Sequence, residues 1–125
     1  MCTIEQRRDL FSTAGHFHRL SIVANESGLL QLAPLVAAEV DPFTKLLFDL
    51  IVDGTDPDMV RDIAERSIVC TGLRGIELRR HLLSTESALA IQTGTPPRWV
   101  DEIAASIIGL DLRKELFDYL GDASI

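Results

Sequence analysis

Aromatic residues are scarce, at 6% of a 125-residue chain, so any core must be assembled mainly from Leu, Ile, Val and Ala. That supply favours helix packing over a sheet sandwich. Cysteine is scarcer still: Cys2 and Cys70 are too few to staple a small secreted scaffold. Long hydrophobic runs are also missing. Leu46-Leu47-Phe48 and Leu50-Ile51-Val52 are interrupted by Asp49 and Asp53, whereas a spanning helix needs roughly 20 mainly apolar residues. The first eight residues are charged and lack the apolar stretch of a signal peptide. These absences predict no membrane insertion and a cytoplasmic location. Positive charge is in deficit, with 12 Lys and Arg against 19 Asp and Glu, a net charge of −7. Such a chain is a poor partner for nucleic acid or an anionic membrane surface, both of them polyanions. The short basic pairs Arg7-Arg8 and Arg79-Arg80 read as solvated helix faces. No internal repeat or low-complexity linker is evident, and no segment sustains the period-two alternation of a strand.

What is present is the composition of an ordinary folded domain, 46% hydrophobic and 25% charged. The length allows one domain, residues 1–125. Helix boundaries are marked by their caps. Thr3 followed by Gln6 is a capping-box pattern, after which Leu10, Phe11, Ala14, Phe17 and Leu20 recur at helical spacing until Ser27-Gly28. A short helix is expected over 32–40, with Pro34 in its first turn. Asp41-Pro42 and Asp56-Pro57 each pair an N-cap with a proline at the first helical position, predicting helices over 42–53 and from 57 onward. Gly72 and Gly75 precede another helix reaching Ile91. The Gly94-Thr95-Pro96-Pro97 break leads into a helix bearing Val100, Ile103, Ala104, Ile107 and Ile108, and a last helix is expected over 112–120. The predicted fold is therefore all-α, a compact bundle of about five to six short-to-medium helices.

Reactive groups do not converge. Residues 48–55 faintly echo the Asp-x-Asp-Gly-Thr loop of haloacid-dehalogenase phosphatases, but the two carboxylates are four apart and on a predicted helix. His16 and His18, at i and i+2, point to different sides of a helix, while helical metal sites favour i and i+4. Cys70, among Ile68, Val69 and Thr71, reads as a small buried hydrophobe. Gly72-Leu73-Arg74-Gly75 lacks the strand and the Gly-Lys-Ser/Thr of a phosphate loop. Trp99 reads as a packing anchor. The sequence therefore nominates no catalytic, cofactor-binding or metal-ligating residue, and the expectation is a protein that is not an enzyme. An alternative is a metal- or small-molecule-binding regulatory domain using a pocket near His16, His18 or His81.

Two blocks carry a resemblance. The first comprises Gly28-Leu29-Leu30-Gln31-Leu32, Asp41-Pro42-Phe43 and Leu50-Ile51-Val52-Asp53-Gly54-Thr55-Asp56-Pro57. The second runs from Ser84 to Arg98. In this order they resemble the cytoplasmic part of the flagellar stator subunit family MotA, over roughly residues 16–109. The resemblance implies a cytoplasmic, non-catalytic helical module that binds a protein partner, either a flagellar motor component or a second copy of itself. It also implies departures. In the family two membrane helices separate the blocks, whereas here only about residues 66–80 do so, including Arg74, Arg79 and Arg80. The earlier pair of membrane helices has no counterpart either. The family's rotor-facing arginine and glutamate match Asn25 and Ala33, so neither charge is kept.

Overall fold

The computed structural model describes residues 2–123, with side chains as far as residue 121. Among the described residues there are eight α-helical segments and no strand: α1 (Ile4–Arg8), α2 (Phe11–Ser27), α3 (Ala33–Ala37), α4 (Pro42–Val52), α5 (Pro57–Thr71), α6 (Gly75–Gln92), α7 (Pro97–Ile108) and α8 (Arg113–Ala123). Single 3-10 turns at Leu29–Leu32 and Leu110–Leu112 lead into α3 and α8. The all-α bundle is as expected, with more segments than five or six. The excess has local causes. The capping box at Thr3 forms in full, but its helix ends after five residues and the chain re-enters helix at Phe11. The helix expected over 32–40 is confined to Ala33–Ala37, which follows a 3-10 turn.

The Asp-Pro signals work as read. Asp41 accepts hydrogen bonds from the Thr44 backbone N–H (3.0 Å) and hydroxyl (2.7 Å), and Asp56 accepts from the Asp58 N–H at 2.9 Å. Each satisfies donors that a helix start leaves unpaired. The opposite ends of α4 and α6 close alike. Gly54 (φ 81°) and Gly94 (φ 79°) adopt the left-handed conformation. The following Thr55 and Thr95 donate back to Leu50 and Ala90, while the glycines donate to Ile51 and Ile91. This is the paired-bond helix stop that favours glycine.

That likeness extends well beyond the turns, and it corrects the expectation that the chain has no internal repeat. Residues 51–68 and 91–108 are identical at eight of eighteen positions: Ile51/Ile91, Gly54/Gly94, Thr55/Thr95, Pro57/Pro97, Val60/Val100, Ile63/Ile103, Ala64/Ala104 and Ile68/Ile108. Burial follows the same order across 51–60 and 91–100. The close of α4 with the start of α5 thus recurs, at a spacing of forty residues, in the close of α6 with the start of α7. Forty residues earlier, Leu20, Val23 and Ala24 of α2 stand where Val60, Ile63 and Ala64 do. The repeat is hard to see in the sequence because most polar positions have diverged: Asp53, Asp56, Asp58 and Arg61 become Thr93, Pro96, Arg98 and Asp101.

Two apolar clusters share the long helices. One gathers Phe17, Leu20, Leu32, Leu47, Phe48, Ile51, Val60, Ala88 and Ile91, with the Phe17 and Phe48 rings stacked at 6.0 Å. The other gathers Leu10, Ala14, Leu83, Ala104, Ile108, Leu112, Leu116 and Leu120. Helix α6 lies between them and is buried from Leu83 to Ile91 except at Glu86. Its inward Ser84, Ser87, Ala88 and Ala90 are small enough to let neighbouring helices approach closely.

Candidate functional site

The α2 sequence places His16 and His18 on opposite sides of the helix, as the i, i+2 spacing requires. His18 turns inward, where its Nδ1 lies 2.8 Å and 3.0 Å from the two carboxylate oxygens of Asp101 on α7. Both residues are buried. Burial pushes the Asp101 carboxyl above the ordinary aspartate range, against the opposing pull of His18. In the repeat, the position of Asp101 is Arg61, whose guanidinium forks onto Glu86 of α6 at 2.6 and 3.1 Å. One repeat position thus ties its hairpin to a neighbouring helix through opposite charges in the two copies.

His16 faces outward into a cleft of about 400 Å³ between α2, the α3–α4 connection and α6. Its Nε2 lies 2.6 Å from Glu39, whose other carboxylate oxygen accepts from the Val40 and Asp41 N–H groups. Across the cleft, Arg80 donates to the Thr13 hydroxyl at 3.2 Å. The remaining walls are Ser12, Phe17, Val40, Asp41, Thr44 and Ser84. The lining therefore combines a guanidinium, an imidazole and hydroxyls with two carboxylates already engaged. Such a lining can hydrogen-bond a small polar molecule. Beyond the His16–Glu39 pair lies a second hollow of about 480 Å³, lined by Leu20, Val23, Leu35, Ala38, Val40 and Arg19. This one is largely apolar, and Val40 on its rim is 91% exposed.

The three histidines are not brought together. His81 packs against the Phe43 ring at 4.5 Å and bonds the Glu77 carbonyl. No group of three or more His, Cys, Asp or Glu able to hold a metal ion occurs among the described residues. Two other expectations are corrected. Cys70 is exposed rather than buried, because Ile68 is the last inward residue of α5 and the final turn projects past the body, with Val69 75% exposed. Trp99 is not an anchor in the core: half of it is exposed, with the Arg98 guanidinium 4.8 Å from its ring centre. In the repeat it stands at the position of Met59, also half-exposed.

The basic pairs do more than solvate helix faces. Arg7 forks onto Asp111 at 2.7 and 2.8 Å and donates to the Ile108 carbonyl, while Arg79 donates to the carbonyls of both Ile107 and Ile108. Two cations thus serve the carbonyl end of α7, where the helix dipole favours them. Arg8 forks onto Glu115, and Arg113 pairs with Glu102. These bonds hold Asp111, Glu115 and Glu102 below the ordinary carboxylate range. Glu39 carried no motif, and Arg80 read only as part of a basic pair on a solvated helix face. The contacts that place them at the cleft are tertiary, since His16 and Thr13 lie more than twenty residues away from Glu39 and Arg80.

Asn25 and Ala33 are both at the surface, Asn25 beside Gln92 in a hollow between α2 and the α6–α7 turn. No helix among the described residues is long and apolar enough to cross a membrane. Searches for a matching protein family, a matching curated protein and a matching solved structure found none.

Proposed function

We propose that the chain is a non-catalytic helical interaction module that binds a protein partner through the surface around α2 and α3. The observation that carries this reading is the apolar hollow between those helices, where Leu35 and Val40 stand exposed over Leu20 and Val23. Exposed apolar residues gathered around one concavity are a recurrent mark of an association surface. Of the polar groups that line it, His16 and Glu39 are engaged with each other and with the α3–α4 connection, while Arg19 stands exposed at the rim. The two sequence blocks similar to MotA add a candidate partner class, the flagellar motor. Asn25 and Ala33 in place of the family's charges argue for a contact other than its rotor contact, since such charges chiefly steer association.

Cross-linked co-purification from the native cell tests this reading, with Val40→Asp as the control bait. Recovery of motility or envelope proteins that the control bait loses supports the motor link. Recovery of a metabolic complex alone removes it.

A second reading is favoured by the cleft under Arg80: a regulatory domain for a small polar ligand. Thermal-shift screening with an Arg80→Gln control separates the two readings. A ligand that stabilises the native chain and not the variant supports the second.

A further inference from the structure

The cleft beneath Arg80 holds two opposite charges apart. Four of its lining residues can carry charge: His16 on α2, Glu39 and Asp41 on the α3–α4 connection, and Arg80 on α6. His16 and Glu39 lie 2.6 Å apart, and the second Glu39 oxygen accepts from the Val40 and Asp41 N–H groups. Asp41 is engaged through Oδ2 alone, which takes both bonds from Thr44; its Oδ1 takes none among the described residues. Arg80 gives Nη1 to the Thr13 hydroxyl. Its Nε stands 3.4 Å from Glu77, longer than a good N–H···O bond, and its Nη2 donates to no described residue. One cation and one anion therefore keep unused bonding capacity in the same cleft, and they are not paired with each other.

We propose that the cleft binds a small zwitterion of the α-amino-acid class, its carboxylate on Arg80 and its ammonium on Asp41; this rests on the second reading above and names its ligand. Charge selects the class. A guanidinium takes a carboxylate through N–H donors set side by side. The Thr13 hydroxyl, which accepts from Arg80, keeps its own proton to donate to the same group. An ammonium has donors only, so it belongs on the opposite wall, where Asp41 offers Oδ1. One small molecule can reach both walls. Thr13, bonded to Arg80, and His16, bonded to Glu39, stand one turn apart on α2, about 5–6 Å between their Cβ atoms. A ligand with a single charge leaves one wall unmatched and meets like charge there. Phe17 and Val40 are the apolar members of the lining and suit a short aliphatic side chain. The walls are fixed before a ligand arrives, since Thr44 and Ser84 are each only 3% exposed and the Glu39 side chain 9%.

The test is titration calorimetry on the full chain with L-alanine, L-valine and L-leucine, each up to about 10 mM. At least one should bind. Its analogues lacking the amino group or the carboxylate (for L-valine, isovalerate and isobutylamine) should each bind at least roughly tenfold more weakly, the size of one charged hydrogen bond. Two variants assign the ends. In Arg80→Gln the amino acid should lose its advantage over the amine, and in Asp41→Asn its advantage over the acid. Asparagine caps a helix as well as aspartate does, so the start of α4 is kept. Each comparison is a ratio between ligands on one chain, which a general loosening of the fold does not reproduce, and the analogue series on the native chain needs no variant at all. Absence of binding by all three amino acids overturns the proposal. So does an acid or amine that binds as tightly as its parent, or a pair of ratios that neither variant changes. A singly charged ligand whose binding is lost in Arg80→Gln overturns the zwitterion while upholding the small-ligand reading beneath it, so the two failures are told apart.

Discussion

Asp101 and Ser87 show how single polar groups are treated in this interior. Asp101 is buried against His18, and burial raises its carboxyl above the ordinary aspartate range. A carboxyl raised on folding binds its proton more tightly in the folded state. Its contribution therefore favours folding below the ordinary aspartate range and is lost as pH rises through the raised value. Asp111, Glu102 and Glu115 behave in the opposite sense. Each is lowered by an arginine, so its contribution is present above the ordinary carboxylate range and is lost as pH falls through the lowered value. Carboxyl-carbon NMR titration should find Asp101 above, and Asp111 below, the ordinary aspartate value. Arg7→Gln should return Asp111 toward its ordinary value and leave Asp101 where it was. Ser87 is the other case: its buried hydroxyl has no hydrogen-bond partner. Leaving such a group unpaired costs about 1–3 kcal/mol, so Ser87→Ala should hold or raise the urea midpoint. A clear fall would show that the hydroxyl has a partner after all.

At the scale of the element, the duplicated turns make a controlled comparison. Gly54 and Gly94 share a left-handed backbone, and an added Cβ would meet nothing within 4 Å at either. The cost of Gly54→Ala or Gly94→Ala is therefore conformational alone, about 1 kcal/mol each, and should be equal at the two sites. Gly121 lies inside α8 with ordinary helical φ and open space around it. Gly121→Ala should thus stabilise, by up to about 1 kcal/mol. Urea unfolding of the three variants checks both signs. These stops and the Asp-Pro starts are what the sequence made legible, because a cap is decided by a few adjacent residues. The breaks at Asp9–Leu10 and around Leu32 were not legible: neither carries glycine at the break, and both are set by what the helices pack against. The cleft was hidden for the same reason. Glu39 and Arg80 are ordinary charged residues until α2 and the α3–α4 connection bring His16 and Thr13 to them. The repeat is faint because most of its shared positions are apolar ones that any helix would carry, while Asp58 and Arg61 are replaced by the opposite charges of Arg98 and Asp101.

For the whole molecule, the consequence of the duplication is shared structure. A linear stack of helical repeats can unfold piecemeal, since each unit meets only its neighbours. Here the ends are tied together. Helix α2 supplies Phe17 and Leu20 to one apolar cluster and Ala14 to the other, and α6 supplies Ala88 and Ile91 to the first and Leu83 to the second. Arg7 and Arg8 bind the first helix to Asp111 and Glu115 at the other end of the chain. A cavity in either cluster should therefore weaken the whole molecule and not one half. Phe48→Ala in the first cluster and Leu116→Ala in the second, both essentially fully buried, should each cost about 2–5 kcal/mol. Each should leave a single unfolding transition. Trp99 provides the check because it reports on α7 alone, while circular dichroism reports on every helix. The two signals should coincide in both variants. If Phe48→Ala moves the dichroism transition ahead of the Trp99 fluorescence transition, the hairpins unfold as separate units and α2 and α6 do not couple them.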